Sequence, residues 1–112
     1  MLSEDCLFCK IIKGEIPASK VFEDDKMLIF KDIEPKAKIH YLLVLKEHFG
    51  RLNEMSIEQA KTLGECLSKL ALMQSTLGIE DGYRLIINQG KNGGQTVEHV
   101  HVHILGGEEL PF

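Results

Sequence analysis

Three cysteines in 112 residues cannot all pair within one chain. That excludes a disulfide framework as the source of stability. In a reducing compartment Cys6 and Cys9 read as thiols or metal ligands rather than as a disulfide. No apolar run approaches the roughly 20 residues of a membrane span. The first residues, MLSEDCLFCK, carry acids where a signal peptide has a basic region, and no long apolar core follows. The expectation is a cytoplasmic protein with no membrane partner. An excess of basic charge is also missing. The net charge is −4 with both signs interspersed, which argues against polymeric nucleic acid as a partner, because its backbone demands a basic face. A single nucleotide as ligand remains open. Internal repeats and low-complexity segments are absent too.

What is present suits one domain over residues 1–112. Apolar residues are 44% and charged residues 27%, a globular balance. Leu7, Phe8, Ile11 and Ile12 recur at helical spacing until Gly14, which predicts a short N-terminal helix. SKVFE and KMLIFKD flank the polar EDDK and read as a hairpin. IHYLLVLK is nearly continuous in apolar residues and reads as a central strand. Ser56 and Gln59 have the form of a capping box. Ala60, Leu63, Leu67 and Leu70 follow every three or four residues, Cys66, Met73 and Leu77 widen the stripe, and Gly78 is a C-terminal stop. One helix over 57–77 is expected. YRLIIN, the loop QGKNGGQTVE and a histidine-bearing strand complete the chain. Strands and helices do not alternate regularly, so the fold class is α+β. The expected architecture is an antiparallel sheet of about five strands, covered by one long helix, with a short N-terminal helix.

Three of the five histidines fall within HVHVH. On a strand His99, His101 and His103 share one face, about 6.7 Å apart at alternate positions. Val100, Val102 and Ile104 take the other face, toward the core. Histidine is not a preferred strand former, so the run points to chemistry. Two chemistries fit: metal ligation, or a nucleophile with an acid–base partner. The adjoining NQGKNGGQT adds glycines, amides and one hydroxyl, a composition that lets backbone and neutral donors approach an anion such as phosphate.

HVHVHIL matches the histidine-triad pattern, His-x-His-x-His followed by two apolar residues. GYRLIINQGKNGGQTVEHVHVHILGG resembles the C-terminal half of the Hint branch of nucleotide-binding proteins, and CLFCKIIKGEIPASKVFEDDKMLIFKDIEPKAKIHYLLVLKEH resembles its N-terminal half. The likeness to the histidine triad (HIT) family therefore spans nearly the whole chain. It implies a hydrolase that cleaves the P–N bond of purine nucleoside phosphoramidates through a nucleotidyl-histidine intermediate. Carried over residue by residue, His101 is the nucleophile, His103 contacts the phosphate, His40 stands beside the nucleophile, and Thr96 hydrogen-bonds the leaving atom. Phe8, Ile11, Ile16 and Phe30 match the apolar surroundings of the base, and Asp32, with its neighbour Ile33, matches the carboxylate for the ribose hydroxyls. Asn88, Gly94, Gln95 and Thr96 match the phosphate side, with His101 and His103. The expected partner is a purine nucleoside monophosphate or phosphoramidate.

The family also implies a two-fold homodimer, in which the long helix and the YRLIIN strand meet their symmetry mates. The breadth of the apolar helix stripe is consistent with that, since a helix packed on one sheet needs only one stripe. CLFC has the C-x-x-C spacing of two ligands of one tetrahedral ion. With His48 and His99 it would form the structural zinc site that several bacterial members resembling this chain carry, and no metal is expected in catalysis. Two other readings compete: a metalloprotein that uses His99, His101 and His103 as ligands of a catalytic ion, and a nucleotide-binding module without turnover.

Overall fold

The structure, a computed structural model, describes residues 2–112. Its elements run α1 (Leu7–Ile12), β1 (Lys20–Glu23), β2 (Met27–Lys31), β3 (Ile39–Leu45), a 3-10 turn (Leu52–Glu54), α2 (Ile57–Leu72), one further helical turn α3 (Gln74–Leu77), β4 (Tyr83–Ile86) and β5 (His101–Gly106). The fold is α+β. The strands form one five-stranded sheet in the order β1-β2-β3-β5-β4, and every neighbouring pair is antiparallel.

The apolar runs of β2 and β3 are explained by cover on both faces. Met27, Ile29, Leu43 and Leu45 face α2, where Leu63, Cys66 and Leu70 are buried against them with Val102 and Ile104 of β5. Leu28, Phe30, Leu42 and Val44 point the other way, onto Phe8, Cys9 and Ile11 of α1. The register sets Leu42 opposite His103 and Val44 opposite His101. Both imidazoles therefore stand on the α1 face, and Val102 and Ile104 belong to the α2 core, as the alternation predicts.

The β1–β2 turn is closed by Asp24, whose Oδ1 accepts from the N–H groups of Lys26 and Met27 at 2.8 and 2.9 Å. The capping box at α2 is formed: Ser56 Oγ accepts from Gln59 N at 3.1 Å, and Gln59 Oε1 accepts from Ser56 N at 2.8 Å. The single helix expected over 57–77 is corrected. It breaks at Met73, whose N–H donates to the Leu70 carbonyl three residues back, and only one turn follows. The break redirects the chain so that Leu77 and Ile79, 2% and 1% exposed, close the end of the core. Ser75 and Thr76 weaken the helix preference there. Gly78, at φ +77°, ends the turn in the left-handed conformation that glycine adopts without strain.

The histidine strand is also shorter than expected. Pairing with β3 begins at His101, and His99 lies before it. The chain bends at 97–99, where His99 N donates to Val97 O at 2.9 Å, and Val100 N then donates to Phe49 O at 2.8 Å. That bend takes the His99 ring off the ladder and toward the cysteines. No helix among the described residues is long and apolar enough to cross a membrane.

Candidate active site and metal centre

A cavity of about 630 Å³ opens on the α1 face of the sheet. Its floor comes from the strands: His101, His103 and Leu105 of β5, His40 and Leu42 of β3, Phe30 of β2. Phe8, Ile11 and Ile16 form an apolar wall, Asp32 and Ile33 stand at the end of β2, and Asn88, Gly94 and Thr96 come from the loop before β5. Of the residues singled out by sequence for nucleotide binding and catalysis, all but Gln95 line this one cavity.

The hydrogen bonds assign the imidazole tautomers. His101 Nδ1–H donates to the carbonyl of His99 at 2.7 Å. The Nε2 of His101 therefore keeps its lone pair. Lys36 donates its main-chain N–H to His40 Nδ1 at 2.9 Å, so the proton of neutral His40 sits on Nε2. That proton faces His103 Nδ1 at 2.9 Å, with Asp32 Oδ2 farther off at 3.4 Å. His103 Nδ1 then acts as acceptor, and its own proton is on Nε2. Burial holds all three rings neutral by disfavouring the charged form. It pushes the pKa of His40 down, against the nearby Asp32 carboxylate. It pushes His101 down as well, against the His99 carbonyl. In His103 burial and the neighbouring His101 and His40 push it to about 4. With His40 neutral, its contact with Asp32 is a long N–H···O contact and not an ion pair.

Asp32, His40 and His103 bring their donor atoms within 4.8 Å of one another, yet the same tautomers argue against a metal there. An ion on His40 Nε2 would require the ring proton at Nδ1, where the ring accepts from Lys36. The group is a relay of hydrogen bonds. His99, His101 and His103 do not converge on a common point either, because the free nitrogen of His99 is turned to Cys6, Cys9 and His48.

His99 is fully buried and donates from Nε2 to the Leu45 carbonyl at 2.8 Å. Its Nδ1 lone pair is thereby aimed at Cys6 Sγ, 3.3 Å away, Cys9 Sγ, 3.5 Å away, and His48 Nδ1, 3.2 Å away. Cys9 Sγ lies 3.3 Å from His48 Nδ1. Zinc bonds of about 2.3 Å to sulfur and 2.0–2.1 Å to nitrogen, at tetrahedral angles, require S···N edges of roughly 3.5 Å and N···N edges of roughly 3.3 Å. The four edges among these donors given above, 3.2 to 3.5 Å, match those values, and all four donors lie within 4.8 Å of one another. The Leu45 carbonyl supplies the outer hydrogen bond that normally orients a ligating histidine. The residues thus fit a closed Cys₂His₂ site. Burial pushes the pKa of His99 down to about 4, which keeps it in the neutral form that ligates.

Several parts of this arrangement carry no signal in the sequence. The acceptors for His99 and His101 and the donor to His40 are main-chain groups of Leu45, His99 and Lys36, and any residue type supplies them. Ile86, Leu105 and Pro17 also line the cavity, but as apolar residues they are indistinguishable from core. Gln95 departs from its expected role. Its Oε1 accepts from Gly90 N at 2.9 Å, and its Nε2 donates to Gly50 O at 2.7 Å and Val97 O at 3.1 Å. With the amide fully engaged, no donor remains for a phosphate. The loop's glycines offer less main chain to an anion than the composition suggested: the N–H groups of Gly93 and Gly94 close turns onto Gly90 and Lys91.

The model of the family described as the HIT domain matches residues 13–110. An uncharacterised HIT-like protein of Synechococcus elongatus is 44% identical over 111 residues, covering 99% of this chain and 97% of its own. Among solved structures, a HIT family hydrolase from Clostridium thermocellum superposes with a TM-score of 0.91 at 41% identity, covering 98% of this chain and 96% of its own. A histidine triad nucleotide-binding protein from Candida albicans superposes with a TM-score of 0.79 at 34% identity, covering 89% of this chain and 73% of its own.

Proposed function

The chain belongs to the HIT domain family, and from that membership and the cavity we propose that it is a Hint-like nucleotide-binding hydrolase that cleaves the P–N bond of purine nucleoside phosphoramidates. The observation that carries the reading is the hydrogen bond from His101 Nδ1 to the His99 carbonyl. It leaves an unprotonated Nε2 on a neutral ring at the floor of the cavity, which is what an imidazole nucleophile needs.

In this reading the purine lies among Phe8, Ile11, Ile16, Phe30 and Ile33, and the ribose hydroxyls reach Asp32. One Asp32 oxygen already accepts from Glu34 N at 2.8 Å, and the carboxylate retains lone pairs for the sugar. The phosphate meets Asn88, Gly94, Thr96 and the Nε2–H of His103. His101 Nε2 attacks phosphorus, a P–N bond to the ring forms, and the P–N bond to the substrate amine breaks. The amine takes up a proton from solvent as it leaves, and the Thr96 hydroxyl hydrogen-bonds the departing nitrogen. Water then attacks phosphorus and gives up a proton to solvent, the ring nitrogen is released, and nucleoside monophosphate departs. The chain from Lys36 through His40 to His103 keeps the His103 donor aimed by tautomer rather than by charge. Polymeric nucleic acid and membranes have no part in the reading.

Cys6, Cys9, His48 and His99 would hold a structural zinc. With four protein ligands such an ion has no open position, so it would pin the N-terminal segment to the sheet and leave the reacting atoms to the histidines. A homodimer through α2 and the edge strand β4 completes the reading. Ile57 and Leu72 on α2 are each 85% exposed, and β4 ends the sheet. The cellular setting is the cytoplasm.

The test is incubation with a panel of nucleoside phosphoramidates and dinucleoside polyphosphates, followed by intact-mass detection of a nucleotidylated protein. Turnover of phosphoramidates with an adduct on His101 is expected. AMP binding without turnover or adduct would favour a binding module and overturn the hydrolase.

A further inference from the structure

Gln95 has the residue type and position of a phosphate contact, yet its amide is turned into the protein. It bridges two loops. One is the loop over 88–96, which brings Asn88, Gly94 and Thr96 to the cavity. The other is the loop after β3, which carries His48. Gln95 Nε2 donates to the carbonyl of Gly50, two residues beyond His48, at 2.7 Å. Its Oε1 accepts from Gly90 N at 2.9 Å, which holds the two ends of the glycine-rich turn together. A second tie runs beside it: Leu52 N donates to Gln89 Oε1 at 2.8 Å. The Arg51–Glu98 pair, with Nη2···Oε1 at 3.0 Å, is exposed and contributes little by itself. The amide ties are part-buried and convey direction as well as energy.

The turn they brace has little freedom of its own. A Cβ on Gly93 would stand 2.3 Å from the Gln89 carbonyl oxygen, so the backbone there is in close contact with itself. Asn88 Nδ2 donates to Gly93 O at 2.7 Å, which places the Asn88 side chain by the shape of the same turn. Gly94 sits at φ +83°, a conformation that glycine allows and that sets the direction in which the chain enters Thr96. Every cavity residue of this loop therefore depends on the turn, and the turn is anchored to the body of the protein through Gln95.

We propose that Gln95 is a positioning residue: by bonding the Gly50 carbonyl it holds the 88–96 loop in the form that receives a phosphate, so that phosphate recognition depends on it and nucleoside recognition does not. The base wall comes from α1, β2 and the residues that follow them, Ile16 and Ile33, and neither Gln95 nor Gly50 lines the cavity. The inference rests on reading the cavity as a nucleotide site.

The experiment compares AMP with adenosine, binding measured by calorimetry on wild type, Gln95→Ala and Gln95→Glu, with zinc content and melting temperature recorded for each. Wild type should bind AMP more tightly than adenosine; if it does not, the nucleotide reading fails before any variant is considered. Gln95→Ala should weaken AMP by roughly tenfold, the scale of one lost buried hydrogen-bonded anchor, and leave adenosine within about twofold of wild type. Gln95→Glu keeps the length and the acceptor for Gly90 but sets an oxygen against the Gly50 and Val97 carbonyls, so it should fail to rescue AMP binding. Gln89→Met, which removes the tie to Leu52 together with the bond from Gln89 Nε2 to the Asn88 carbonyl and leaves the Gln95 bonds in place, should show the same selective loss in smaller degree and serves if the Gln95 variants do not fold. AMP affinity that stays at the wild-type level, or AMP and adenosine affinities that fall in parallel, would overturn the proposal.

Discussion

The side chain of His101 is bonded to the main chain of His99, Nδ1 to carbonyl oxygen at 2.7 Å. The His99 side chain meanwhile faces the two cysteines and His48. One residue thus orients the nitrogen of the site with its backbone and closes the Cys₂His₂ cluster with its ring. The bend at 97–99 makes both possible, because it releases His99 from the ladder that begins at His101.

Replacing His101, the proposed nucleophile, should remove turnover and not the fold. His101→Ala is expected to lower phosphoramidate hydrolysis on the order of 10³-fold or more, with no nucleotidylated protein in the intact-mass spectrum and an unchanged circular dichroism spectrum. Near-normal hydrolysis by the variant would remove His101 from the mechanism.

The pH profile follows from the burial of the rings. His103 is pushed from an ordinary 6.5 to about 4, and burial likewise lowers His40. The reactive neutral forms therefore persist below pH 6.5, and kcat/KM should stay level from pH 7.5 down to roughly 6, where an ordinary histidine would already be protonating. Stability runs with the opposite emphasis. Between the unfolded value of 6.5 and the folded value near 4 the unfolded chain binds more protons, so stability is complete above pH 6.5 and declines as pH falls toward 4. A melting temperature that rises over that descent would contradict the assignment.

Zinc should be found at about one ion per chain by elemental analysis, with tetrahedral ligation. Cys9→Ser should lose it and melt at a lower temperature, while keeping measurable hydrolysis, since the reacting residues lie outside the cluster. Stoichiometric zinc in a Cys6→Ser, Cys9→Ser double variant would place the metal elsewhere.

In solution the protein should have the mass of a dimer by light scattering at micromolar concentration. Leu72→Glu, at a position 85% exposed on α2, should shift the mass toward the monomer without lowering the helix content. A wild-type monomer would count against the dimer.

Gly93→Ala adds a Cβ that would stand 2.3 Å from the Gln89 carbonyl, so the turn must shift. AMP binding should weaken at least severalfold, on the order of 1 kcal/mol or more, with the rest of the fold intact. Wild-type AMP affinity in this variant would mean that the shape of the loop is not critical.

Periodicity and chemistry of residue types determined much of this protein. Alternation along HVHVHIL put His101 and His103 on one face and Val102 and Ile104 on the other, because strand side chains alternate whatever the surroundings. Ser56 and Gln59 marked the start of α2, because a capping box is local. The C-x-x-C spacing and the family pattern named Cys6, Cys9, His48 and His99, and the structure gathers all four. Tertiary structure decided the rest, for reasons that no single residue states. The break at Met73 follows from the need of Leu77 and Ile79 to reach the core. The departure of His99 from the strand follows from its ring being drawn to α1. The tautomers of His40, His99 and His101 rest on main-chain groups of Lys36, Leu45 and His99, whose positions only the fold sets. Gln95 had the composition of a phosphate contact, and its direction became visible only when Gly50, far away in sequence, came within hydrogen-bonding distance.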